Sequence, residues 1–146
     1  MSEETQESWL LAKGESEDGL PVYIRYREDL PDEDEFKKLK TLMLVTWAFE
    51  SLDGTGEPTE DEADLMEDFE SLMDESVVET GAARLMIVFN GEGVRKWFFY
   101  TTDEEVFMLR LNEALAGNPV LPLEIEAYED ENWDAYQDYT GVEVKK

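Results

Sequence analysis

The sequence predicts an α+β fold: an antiparallel sheet with two helices on one face and an extra hairpin at its N-terminal end. Three observations predict it. Thr59-Glu-Asp-Glu62 and Thr102-Asp-Glu-Glu105 both have capping-box spacing, and apolar residues follow each at helical intervals. Short apolar-aromatic runs of strand character lie before, between and after these two stretches. Two of the runs are joined by Asn90-Gly-Glu-Gly93, a strong hairpin signal. The chain has 146 residues, which suits a single domain, and a chain of ~150 residues buries about two-thirds of its unfolded surface.

Taken in order, Ser8–Lys13 and Leu20–Arg27 flank a turn-forming stretch from Gly14 to Gly19. Val22, Ile24 and Tyr26 alternate with Tyr23, Arg25 and Arg27, so the pair reads as an antiparallel hairpin. Leu30–Lys40 begins with Pro31 and the acidic run Asp32–Glu35, and reads as a surface loop with room for a short helical turn. Leu42–Glu50 is a largely buried strand, and Asp53–Pro58 a loop. A helix is predicted over Glu60–Val78, with Leu65, Phe69, Leu72 and Ser76 on its inner stripe and Gly81 as its stop.

Ala83–Phe89 and Val94–Thr101 follow as strands joined by Asn90-Gly-Glu-Gly93, where Asn-Gly signals a hairpin because both residues tolerate positive φ. The second helix faces inward through Met108, Leu111 and Leu115 and ends at Gly117 and Pro119. Leu121, Leu123, Ile125 and Ala127 alternate with Glu124, Glu126 and Tyr128, a strand with one wet face. Asn132–Tyr139 is aromatic and acidic, with room for a single helical turn. From Leu42 the order is strand, helix, strand, strand, helix, strand, which is the split β-α-β order of a ferredoxin-like fold. The chain thus divides into a hairpin extension (1–41), a ferredoxin-like core (42–129) and a tail (130–146).

Composition restricts function more than it suggests one. There are 38 Asp and Glu against 12 Lys and Arg, with no His and no Cys, and the formal charge is -26. Missing Cys removes disulfides, thiolate nucleophiles and thiolate metal sites. Missing His removes the usual general base near neutral pH and the commonest transition-metal ligand. The charge repels phosphate backbones and anionic lipid, so no direct nucleic-acid or membrane binding is expected. The N-terminus, MSEETQESWLLAK, is acidic and lacks the basic start of a secretory signal, which points to the cytoplasm.

Four chemical readings remain. Between Thr41 and Ala83 there is no basic residue but there are 13 acids, and Asp61, Asp64, Glu67, Asp68 and Asp74 fall on the outer side of the first long helix. They form either a face for a basic protein partner or an ordinary solvated surface. Asp53-Gly-Thr-Gly-Glu-Pro58 fails as a calcium loop, since its sixth and twelfth positions hold Pro58 and Asp64. No cofactor or metal is therefore expected. A carboxylate set of Glu124, Glu126 and Asp130 beside Trp133 and Tyr136 is the candidate for a small-molecule or divalent-metal-dependent enzyme, although a wet strand face in an acidic protein looks the same. Finally, Val94–Thr101 is apolar on both parities, with Trp97 and Phe99 on one face and Phe98 and Tyr100 on the other. Its second face must be covered by the chain's own ends, by a partner or by a second copy in a homodimer.

The segment WFFYTTDEEVFMLRLNEALAG, followed by LPLEIEAYEDENWDAY, resembles a bacterial family known only as domain of unknown function 695. Asp130-x-x-Trp133-x-x-Tyr136, the strand with Glu124 and Glu126, Trp9 with the Pro21–Arg27 strand, and Trp47-Ala-Phe49 carry the resemblance over nearly the whole chain. It implies a cytoplasmic bacterial α+β protein and brings no established activity. In acidity and topology the chain is also distantly similar to the regulator of ribonuclease E activity B, a small acidic protein that inhibits an RNA-processing enzyme. No residue carries over from that likeness. The sequence therefore points to a non-enzymatic protein-binding module, ahead of the carboxylate enzyme and of a charge that serves only solubility or salt adaptation.

Overall fold

A computed structural model describes residues 9–15, 19, 21–27, 33–49, 59–78, 83–91, 93–116 and 123–140. The elements are β1 (Trp9–Glu15), β2 (Pro21–Arg27), α1 (Glu33–Lys38), β3 (Thr41–Ala48), α2 (Glu60–Met73), β4 (Ala83–Gly91), β5 (Val94–Thr101), α3 (Glu104–Leu115), β6 (Leu123–Glu129) and α4 (Asp134–Thr140). The fold is mixed α+β. Six strands form one sheet in the order β1-β2-β4-β5-β3-β6, and every neighbouring pair is antiparallel. The N-terminal hairpin lengthens the sheet, because β2 pairs with β4 from Tyr23–Asn90 to Tyr26–Ile87. The loop expected at 53–58 lies outside the described residues, as do Gly81 and Gly117–Pro119.

β5 lies between β4 and β3 and is buried on both faces, as its sequence requires. Trp97 and Phe99 join a core with Met43, Val45 and Trp47 of β3, Met66 and Phe69 of α2, and Phe107 and Leu111 of α3. Phe98 and Tyr100 point the other way, into a second core with Leu42, Met86, Ile87 and Phe89. That second core is closed by Phe36 of α1, by Leu39, by Trp133 and by Tyr136 of α4. The two long helices, α2 and α3, share one face as expected, and two short helices, α1 and α4, cover the other. Leu30–Lys40 and the 130–146 tail, where the sequence allows a helical turn, each contribute a short helix, of six and seven residues. Their physical reason is the same: β5 and its neighbours present too much apolar surface to leave wet.

α2 runs over the predicted span, but its last turn, Asp74–Val78, widens into a π-helix. The inner stripe is Met66, Phe69, Met73 and Val77, each essentially without solvent contact, and not Leu65, Phe69, Leu72 and Ser76. Leu65 is 52% exposed. Both stripes share Phe69 and differ by about one position, and apolar residues at 65, 66, 72 and 73 make the two phases hard to tell apart from sequence. Thr59 caps α2 as expected, its hydroxyl accepting from the Glu62 amide. In α3 the cap is Asp103, not Thr102: its carboxylate accepts from the Glu105 and Val106 amides. Phe107 and Leu111 are its buried residues, with Met108 and Leu115 packed at the margin.

The β4–β5 hairpin turns within the expected Asn90–Gly93 connection, in its second half. Asn90 and Gly91 remain in β4, Gly91 pairs with Val94, and the positive φ of 81° belongs to Gly93. Gly91 is needed for closeness: a Cβ there would lie 2.9 Å from Val22 of β2. Upstream, a bulge between Leu85 and Ile87 places both Met86 and Ile87 in the second core. Among the described residues no helix is long and apolar enough to cross a membrane.

The phase of α2 is open to direct test. Met66→Ala should lower unfolding free energy by about 2–5 kcal/mol, the cost of a cavity in a closed core. Leu65→Ala should cost under about 1 kcal/mol. Urea denaturation of the two variants checks both, and equal costs would contradict the observed stripe.

Candidate functional site

The acids of α2 divide by direction. Glu62 and Glu70 turn towards the sheet and accept the two indole N–H groups of the first core, Trp47 Nε1 at 3.0 Å and Trp97 Nε1 at 2.9 Å. Glu70 also accepts from Arg25 Nη2 of β2 at 2.7 and 2.8 Å. A buried indole needs an acceptor, and the helix supplies one two turns apart for each. Between them Phe69 meets Trp97 edge-on at 5.0 Å and Trp47 at 6.1 Å. Glu62 is thus an acceptor for a tryptophan as well as a member of the predicted capping sequence.

Asp61, Asp64, Glu67, Asp68 and Asp74 are all exposed. Burial, partly offset by the charge of Glu70, holds the Arg95 guanidinium below its ordinary pKa, and Glu67 is near enough to act on it too. Asp61, Asp64 and Asp68 follow one another at three- and four-residue spacing, so their like charges face each other along the helix. Among the described residues, Asp61, Asp64 and Asp68 of this strip take part in none of the ion pairs, and the strip lies on the side of the sheet that holds the first core.

The second candidate set is split by the fold. Asp130, Trp133 and Tyr136 come together in the second core, while Glu124 and Glu126 lie exposed on β6 opposite Thr46 and Leu44 of β3. Asp130 is buried and works as the acceptor that starts α4. Its Oδ1 accepts from the Asp134 amide at 2.8 Å, and its Oδ2 from the Ala135 amide at 3.1 Å and from the Tyr100 hydroxyl at 2.7 Å. The Tyr100 oxygen in turn accepts from the Tyr136 amide at 3.2 Å. A helix N-terminus carries unpaired amides and positive potential, so a carboxylate is the fitting cap.

Trp133 completes this arrangement at φ 58°, a left-handed conformation that costs a bulky residue of order 1–3 kcal/mol. Three contacts hold it there. Its ring stacks on Tyr100 with centroids 4.1 Å apart and 13° between planes, Phe36 lies at 5.2 Å, and Nε1 donates to the Leu39 carbonyl at 2.8 Å. Tyr136 donates its hydroxyl to the Arg27 carbonyl, which ties α4 to the end of β2. Trp133 and Tyr136 have no exposed surface. The Asp-x-x-Trp-x-x-Tyr spacing is therefore a clamp that seats α4, made of one cap, one stacked ring and one tether.

Sequence reasoning missed Glu70 and the polar role of Tyr100. Glu70 reads like every other acid on α2, and only the sheet beneath shows that Trp97 and Arg25 meet it. Among the described residues no three acids converge closely enough to hold a metal ion.

Burial, then the hydrogen bond and charge of Asp130, push the Tyr100 hydroxyl far above the ordinary tyrosine range. Because the folded pKa is raised, the contribution is complete below the unfolded tyrosine value of about 10 and declines as pH rises beyond it. Alkaline denaturation should show this fall, and Tyr100→Phe should reduce its slope. Asp130→Ala leaves the Tyr100 hydroxyl and two amides without their acceptor and should cost about 3 kcal/mol in urea unfolding. Asp130→Asn, which keeps one acceptor oxygen, should cost less.

No curated protein matches the chain. Residues 7–140 match the model of a family described as "Family of unknown function (DUF695)", a span that takes in both candidate sites and every element from β1 to α4. By that match the chain belongs to the DUF695 family.

Proposed function

We propose that this is a non-enzymatic, cytoplasmic regulatory protein that binds a basic protein partner through the outward side of α2. The observation that carries the reading is the division of the α2 acids. Glu62 and Glu70 are used by the fold, whereas Asp61, Asp64, Glu67, Asp68 and Asp74 are exposed on a helix with no basic residue in its last turn. Like charges at three- and four-residue spacing each cost a helix a few tenths of a kcal/mol. A cationic partner removes that cost and is steered in by the field of a chain with formal charge -26. The strand order β4-β5-β3-β6 with α2 and α3 as crossovers supports reading the part from β3 to β6 as ferredoxin-like, a topology on which many binding modules are built.

Affinity capture from lysate across a salt series tests the proposal, with a variant in which the five acids are Asn or Gln as its control. The expected result is one basic protein retained at low salt, released as salt rises, and not retained by the variant. The variant itself should melt at a higher temperature, because repulsion along α2 is relieved. Equal capture by both proteins, or no selective capture at low salt, overturns the reading.

A further inference from the structure

The second face of the sheet is not closed across its whole width. Beside α4 lies an open groove of about 280 Å³, whose lining includes Leu42 and Leu44 of β3 and Phe98 of β5. Tyr128 of β6 and Tyr139 of α4 line it as well, 44% and 39% exposed, with Tyr139 edge-on to Phe98 at 4.8 Å. The charged residues among its lining are all acids: Glu129, Asp130 and Asp138. Asp130 is occupied by Tyr100 and two amides, which leaves the exposed Asp138 of α4, with Glu126 on the Tyr128 face of β6, to meet a ligand. Glu126 sits across from Leu44 and accepts the Tyr128 hydroxyl, whose pKa is raised as a result.

Apolar residues, two partly exposed aromatic rings and carboxylates describe a receptor for a group with an aliphatic stem and a cationic head. β6 borders the groove, pairs with β3 along one edge, and has no strand on its other edge among the described residues. A strand added there places alternate side chains on the face that carries Tyr128 and Glu126. The exposed Glu124 and Glu126 oppose addition of a second β6, because like charges would meet, and favour a basic strand.

We propose that this groove receives a lysine or arginine side chain from an extended basic segment of another protein laid along the free edge of β6. The surface lies on the opposite side of the sheet from α2 and stands independently of the reading given for that helix.

The test is calorimetric titration of the full chain with blocked acetyl-Val-Arg-Val-Arg-Val-amide at physiological ionic strength. The Val-Glu-Val-Glu-Val and Val-Thr-Val-Thr-Val peptides serve as controls. Measurable binding is expected for the arginine peptide alone, about tenfold weaker in Tyr128→Ala and in Glu126→Gln, the size of a cation–π or charge-assisted contact. Both side chains are exposed, and melting curves confirm that the variants fold. Binding should persist in the variant with the five α2 acids neutralised. Four outcomes overturn the proposal: no binding by the arginine peptide, equal binding by the threonine peptide, loss of binding in the α2 variant to the same degree, or binding that appears only after residues 141–146 are deleted. The last would assign the groove to the chain's own Lys145 and Lys146.

Discussion

A strand that is apolar on both parities must be buried on both sides, and β5 imposes this on the rest of the molecule. Its Trp97 and Phe99 face one way and its Phe98 and Tyr100 the other, and all four have at most 2% of their surface exposed. Each aromatic pair represents several kcal/mol of burial. One side is met by α2 and α3, which are long and regular. The other is met by two helices of six and seven residues, α1 and α4, which could not stand alone and are held by what they cover. Antiparallel pairing on both edges of β5 then fixes β3 and β4, and through them β6, β2 and β1.

An acidic chain uses some of its charge to solve an internal problem. Among the described residues, five large side chains carry a polar atom into the two cores: the indoles of Trp47, Trp97 and Trp133 and the hydroxyls of Tyr100 and Tyr136. Glu62, Glu70 and Asp130 accept three of these, and the Leu39 and Arg27 carbonyls accept the other two. A carboxylate acceptor makes a stronger bond than a neutral one and keeps its own remaining lone pairs near water or helix amides. The other acids of α2 have no such duty. That division separates a candidate interaction surface from the scaffold more clearly than charge counting does.

The legibility of the sequence varied with how local the determining physics was. The span of α2, the alternation of β2, the two-sided burial of β5 and the split order of strands and helices all follow from short-range pattern. The inner stripe of α2 does not, because apolar residues stand at 65 and 66 and again at 72 and 73, and either phase is amphipathic. The turn at Gly93 does not, because Asn90-Gly91 offers an equally good local signal, and the choice falls to Gly91's close approach to Val22. The cap of α3 moved from Thr102 to Asp103 for a similar reason, since adjacent residues could both serve.

By itself the sequence determined the strands and the two long helices, the lack of thiol and imidazole groups, and a strongly acidic composition. Those depend on composition and on neighbours a few residues apart. The tertiary structure alone decided that Asp130, Trp133 and Tyr136 form a clamp on the second core and leave Glu124 and Glu126 outside it. It also decided which α2 acids meet a tryptophan and which meet water. Each of these outcomes depends on groups brought together from distant parts of the chain, such as Trp97 with Glu70 or Trp133 with Leu39. No local periodicity encodes a partner that far away.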